Sequence, residues 1–164
     1  MCDHCGCQDF PLIAEFTEQH RRIQEASGLL RHAIGHGDHE EARRRLEALT
    51  ALLKPHVEAE EQGLFAELRA EESIRVTVEQ LCEEHTRLGA ALEGPSGEPP
   101  DWARVLAALD LLTEHIYKEE YGVFPAAVVL LPTPVWDRIT PSHAQVPTDA
   151  VSHLPPGSMS SLPQ

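Results

Sequence analysis

LEALTALLKPHVEAEEQGL runs from Leu46 to Leu64. Leu46, Leu49, Leu53 and Leu64 fall at steps of three, four or their multiples, which is the spacing of one face of an α-helix. His56 and Glu60 occupy that same face. The stretch therefore predicts a helix whose buried stripe carries an imidazole and a carboxylate, with Pro55 removing one backbone hydrogen bond and bending the helix just before His56.

The end of this stretch recurs. HVEAEEQGLF spans His56 to Phe65, and HIYKEEYGVF spans His115 to Phe124. Histidine, the glutamate pair, glycine and phenylalanine stand at identical offsets. The second copy lies on its own stripe, Val105, Leu109, Leu112, His115, Glu119 and Val123. Asp101 is placed to cap that helix.

Two further stripes complete the pattern. Leu12, Phe16, Ile23, Ser27, Leu30 and Ile34 predict a first helix ending near Ile34. Ile74, Val78, Leu81, His85, Leu88 and Leu92 predict a third. GHGDH, Gly35 to His39, breaks the first from the second, and Asp38 with Glu41 reads as a capping box. EGPSGEPP, Glu93 to Pro100, is a loop. No strand signal competes, so the expected fold is all-α, an antiparallel up-down-up-down four-helix bundle. The expected domain occupies residues 12–131, after a cysteine-bearing lead at 1–11. A Pro-rich tail at 132–164 is expected to be largely disordered beyond a helical turn near Trp136 to Ile139.

Composition narrows the function. The chain has 164 residues and a formal net charge of −14, which repels phosphate backbones and argues against nucleic acid as a partner. The longest apolar run, Ala126 to Leu131, is far too short to span a bilayer and lies between Pro125 and Pro132. Without a basic-then-apolar leader, the expected address is cytoplasmic. The cysteines, Cys2, Cys5, Cys7 and Cys82, do not spread as a disulfide framework would.

Each stripe holds one histidine in its middle: His20, His56, His85 and His115. One histidine on an apolar face is ordinarily a hydrogen-bonded core residue. Glu60 and Glu119 are different, because a carboxylate is almost never buried unless paired or coordinated, and burial costs several kcal/mol. No Lys or Arg shares these inner stripes. A pair of divalent metals would compensate both glutamates, and imidazole with carboxylate suits iron, manganese or zinc. The Glu-x-x-His pattern of ferritin-like di-iron bundles is absent, since Leu53, Cys82 and Leu112 precede the last three histidines by three residues.

EQHRRI (Glu18 to Ile23), HVEAEE (His56 to Glu61), EEHTRL (Glu83 to Leu88) and HIYKEE (His115 to Glu120) together resemble the hemerythrin-like, or HHE cation-binding, domain over residues 12–130. The resemblance implies two iron ions held by His20, His56, Glu60, His85, His115 and Glu119. Glu60 and Glu119 would bridge the metals beside an oxo or hydroxo group. It also implies O₂, peroxide or nitric oxide as the small ligand, with a reductase or other protein partner. The oxygen-carrying members are similar but place a second histidine where Gly89 stands, and a His-x4-Asp pattern where Glu120 stands. Glu119 matches the bacterial His-x3-Glu form instead.

With that nitrogen ligand gone, three readings follow: a protein that binds or reduces the small ligand, a di-iron oxidase or oxygenase for a small organic substrate, and a non-enzymatic iron or redox sensor. Glu61 and Glu120 are expected to be solvated or to stand behind the ligands, with direct ligation as the alternative, and Gly63 and Gly122 are expected at close helix contacts. Phe65 and Phe124 should plug the bundle end, and Tyr117 and Tyr121 are surface or packing residues. His32, His36 and His39 read as a solvated turn, with a surface zinc trap as the alternative. Cys2, Cys5 and Cys7 have soft-metal spacing and also suit a redox role. Cys82 is a small packing residue.

Overall fold

A computed structural model describes residues 6–93 and 99–143. After a 3-10 turn at Cys7–Asp9, helix α1 spans Pro11–Gly35. Proline suits the first helical position, where its missing N–H would have no partner anyway. Gly37, with φ at +70°, provides the left-handed residue that reverses the chain. Helix α2 is His39–Gln62, and the Asp38 carboxylate accepts from the Glu41 N–H at 3.0 Å. The expected capping box is only half formed, because the Glu41 side chain turns to Arg44 and Arg45 instead of back to Asp38.

Helix α2 runs on through Pro55 and stops before Gly63, and Leu64–Leu68 forms the short α3. Helix α4 is Arg75–Glu93 and α5 is Trp102–Lys118, capped by Asp101 at the Ala103 and Arg104 N–H groups. A π-helical turn, Glu119–Val123, leads into α6, Phe124–Leu130. Helix α7 is Thr133–His143, which extends well beyond the turn expected at Trp136 to Ile139. Val135, Trp136 and Ile139 are buried, and the Trp136 indole N–H donates to the Leu131 carbonyl at 3.1 Å. The rest of the expected tail, from residue 144, lies outside the described residues, as do Cys2 and Cys5.

The fold is an all-α bundle. The long helices form a ring in which α1 packs on α2 and α5, and α4 packs on the same two. Neighbours run antiparallel. His20 meets Glu120 while Arg31 meets Asp110, so α1 ascends as α5 descends. Glu84 meets His115 while Arg104 meets the Ala90 carbonyl, so α4 and α5 oppose as well.

Two apolar clusters fill the interior. One holds Phe16, Phe65, Leu81, Val123 and Phe124; the other holds Ile23, Leu53, Leu88, Leu112 and Ile116. On α1 and α4 the change from one cluster to the other falls at the stripe histidine, and on α2 and at the end of α5 it falls after the histidine, around the stripe glutamate. A polar layer thus divides the core, and it contains His20, His56, Glu60, Glu84, His85, His115 and Glu119.

Candidate metal centre

The four stripe histidines and both repeat glutamates converge in this layer. His20, Glu60 and Glu119 are fully buried, and the other three are at most 6% exposed. The imidazoles meet in pairs, with His20 Nε2 3.1 Å from His56 Nε2, and His85 Nε2 2.8 Å from His115 Nε2. Glu60 turns Oε2 to both His56 and His85, at 3.4 and 3.5 Å, and Oε1 to His20 at 3.8 Å. Glu119 turns Oε1 to His115 at 2.9 Å and Oε2 to His20 at 3.2 Å. Two sets of ligand atoms result: His20 with His56, and His85 with His115, each with the same two glutamates.

Every Nδ1 faces an acceptor on a neighbouring helix. His20 Nδ1 lies 3.1 Å from Glu120, His56 Nδ1 2.8 Å from the Gln19 Oε1, His85 Nδ1 2.9 Å from Glu61, and His115 Nδ1 2.9 Å from Glu84. These acceptors assign the proton to Nδ1 and leave Nε2 as a lone pair. Two facing lone pairs within about 3 Å, ringed by carboxylates, form a repulsive arrangement unless a cation lies among them. The four oxygens of Glu60 and Glu119 are buried without a hydrogen-bond partner, because their contacts to Nε2 lack hydrogen-bond direction. Neutral nitrogens and orphaned carboxylates converging in a dry core are what a divalent metal site presents.

The electrostatics agree. Burial pushes the Glu60 carboxyl well above its usual range, and the neighbouring Glu119 adds to it. Against burial, His115 and His20 hold Glu119 below that range. Burial and the adjacent His20 depress His56. His20 is lifted despite burial by Glu119 and Glu120, and His115 likewise by Glu119 and Glu84. A metal must displace the proton that burial favours on Glu60, and acid that protonates His20 or His115 at Nε2 competes with it. Binding is expected to release protons near neutral pH and to weaken as pH falls, because acid restores those competing protons. Calorimetric titration with Zn²⁺ in two buffers of different ionisation enthalpy measures this release, and identical heats in both would contradict it.

Residues 12–127 match the Hemerythrin HHE cation binding domain family. The chain belongs to the hemerythrin HHE cation-binding family. Comparison with curated proteins and with solved structures found no match.

In this hemerythrin-family chain Glu61 and Glu120 contact the Nδ1 atoms of His85 and His20, on the side of each ring away from the inner Nε2. Gln19 and Glu84 play the same part for His56 and His115, and the sequence reading missed both. A signal was available, since each directly precedes a stripe histidine, as Glu61 and Glu120 directly follow a stripe glutamate. Glu119 and Glu120, consecutive residues of the π turn, both reach the layer, as Glu60 and Glu61 do from α2: Glu119 faces the Nε2 atoms and Glu120 the Nδ1 of His20. Phe124 stacks on His20 at 5.6 Å and Phe65 on His85 at 5.9 Å, both rings buried, so they close one end of the layer.

Gly122 needs a different account from close packing. It is exposed, and an added Cβ would meet nothing within 4 Å. It belongs to the π turn. Gly63 is buried where α2 gives way to α3. Gly89 lies one turn beyond His85, and a Cβ there would also meet nothing within 4 Å. His32 and His36 lie ring to ring at 4.1 Å, but His39 stacks on Trp102, so the turn histidines do not converge as a trap. Tyr117 and Tyr121 stack on each other at the surface. Cys7 is buried and disulfide-bonded, whereas Cys82 accepts from the Arg69 guanidinium at 2.9 Å.

Proposed function

We propose that this protein is a non-heme di-iron protein that binds or reduces O₂, peroxide or nitric oxide. The observation that carries the reading is the pair of ligand sets sharing both glutamates. His20 and His56 would hold one iron, His85 and His115 the other, and Glu60 and Glu119 would join them. Bound iron supplies redox electrons and affinity for small oxygen and nitrogen ligands. Zinc and manganese suit the same donor atoms.

The surrounding residues contribute orientation and dryness. Glu120, Gln19, Glu61 and Glu84 keep each proton on Nδ1 and so keep each Nε2 turned inward. Phe16, Phe65 and Phe124, each at most 1% exposed, exclude water from the layer. Such a site favours a small ligand over an organic substrate. Surface cavities of 310, 220 and 540 Å³ are lined by none of the six inner residues. Electrons for reduction would come from a separate reductase. Among the described residues no helix is long and apolar enough to cross a membrane.

Metal analysis and a visible spectrum of aerobically purified protein test the proposal. About two irons per chain are expected, with a charge-transfer spectrum that changes on adding peroxide or nitric oxide. Fewer metals, or a spectrum indifferent to these ligands, would overturn it.

A further inference from the structure

The acceptors behind the histidines follow an approximate two-fold pattern that relates α1 and α2 to α4 and α5. Glu61 on α2 serves His85 on α4, and Glu120 beyond α5 serves His20 on α1. Gln19 on α1 serves His56 on α2, and Glu84 on α4 serves His115 on α5. Three of the four acceptors are carboxylates. The fourth is an amide, and its orientation is fixed because the Gln19 Nε2 donates to Glu15 at 3.2 Å, which presents Oε1 to His56.

An anionic acceptor draws on the Nδ1 proton more strongly than an amide oxygen does, and so makes Nε2 a better donor to a metal. His115 has that assistance and His56 does not. Lys118 pairs with the other oxygen of Glu84 and Arg87 lies 3.8 Å from it, but these side chains are 43% and 63% exposed and solvent screens them, whereas the His115 contact is buried. The two ligand sets are therefore unequal in donor strength, although they hold the same residue types.

We infer that the two metal positions load in order: the His85 and His115 position first, the His20 and His56 position second and more loosely, with Gln19 and Glu84 as the positioning residues that set the order. This deepens the di-metal reading and rests on it, but it does not depend on iron or on any reaction. Removing a partner behind a metal-bound histidine generally costs about 10- to 100-fold in affinity, which sets the expected difference between the positions.

Cobalt(II) added to the metal-free full-length chain tests the order, read by paramagnetic shifts of the histidine ring signals. At one equivalent, the large contact shifts of directly bound imidazoles are expected on His85 and His115, while His20 and His56 show only the smaller through-space shifts of rings near the ion. Glu84→Gln combined with Gln19→Glu exchanges the acceptors, and Glu15→Gln in the same variant keeps a donor facing position 19. This variant is expected to send the first equivalent to His20 and His56. Far-ultraviolet circular dichroism of each metal-free form checks that the bundle is intact, and Glu84→Gln alone, which should bring the two affinities closer, serves if the triple variant does not fold. An even distribution of the first equivalent in the unaltered chain, or an unchanged order in the variants, would overturn the inference. Failure to bind cobalt at all would overturn the di-metal reading itself.

Discussion

Glu60→Leu combined with Glu119→Leu is expected to abolish metal binding and, at the same time, to stabilise the metal-free bundle. Both carboxylates are fully buried and none of their oxygens has a hydrogen-bond partner. In the metal-free chain their desolvation is offset only by imidazoles, which are themselves buried. Replacing a buried ionic cluster with apolar side chains of similar volume is often neutral or stabilising by about 1–4 kcal/mol. With metal present the order reverses, because ligand at about 1,000 times its dissociation constant stabilises the unaltered chain by about 4.1 kcal/mol and the variant not at all. Urea unfolding with and without Zn²⁺ measures both effects. A variant that still binds two metals would show that these glutamates are not the shared ligands, and one less stable than the metal-free parent would show that their burial does not destabilise the bundle.

Phe16→Ala is expected to cost about 3–5 kcal/mol of stability and to weaken metal retention as well. The ring has no exposed surface, stacks on Phe124 at 5.9 Å and meets the His56 ring edge-on at 5.6 Å. It lies where the apolar core touches the metal layer. Its loss would leave a cavity against an imidazole, and water entering there would compete for the Nε2 lone pair and raise the local dielectric. Phe16→Leu should recover most of the stability, since it restores most of the volume. Urea denaturation of the metal-free forms separates the packing loss from the binding loss. A cost below about 1 kcal/mol would mean that the site collapses around the deletion.

The two substitutions act in opposite directions on the metal-free chain. The phenylalanine contributes stability through packing, and the glutamates remove stability that only a bound cation restores. On the proposed reading the bundle carries a destabilised layer between two apolar clusters, and folding and metal loading would be linked through it.

Much of this was legible in the sequence because helical periodicity is a local property. The spacing of Leu46, Leu49, Leu53, His56, Glu60 and Leu64 fixes which side chains share a face, whatever that face meets. Four such faces, each with a histidine at the same depth, specify an all-α bundle with six inward polar residues, and the burial of Glu60 and Glu119 identifies them as needing a cation. The motifs also carry the family. What the periodicity does not contain is the lateral placement of one helix against another. That placement pairs His20 with His56 and His85 with His115, and it brings Gln19, Glu61, Glu84 and Glu120 onto histidines of other helices, between 24 and 100 residues away along the chain. The π turn at Glu119–Val123 is likewise a tertiary choice, since a regular helix through the same residues would satisfy its own backbone equally well. Sequence determined which groups lie inside, because that depends on spacing along one helix. Tertiary structure decided which nitrogen faces the centre and what stands behind it, because those depend on contacts between helices.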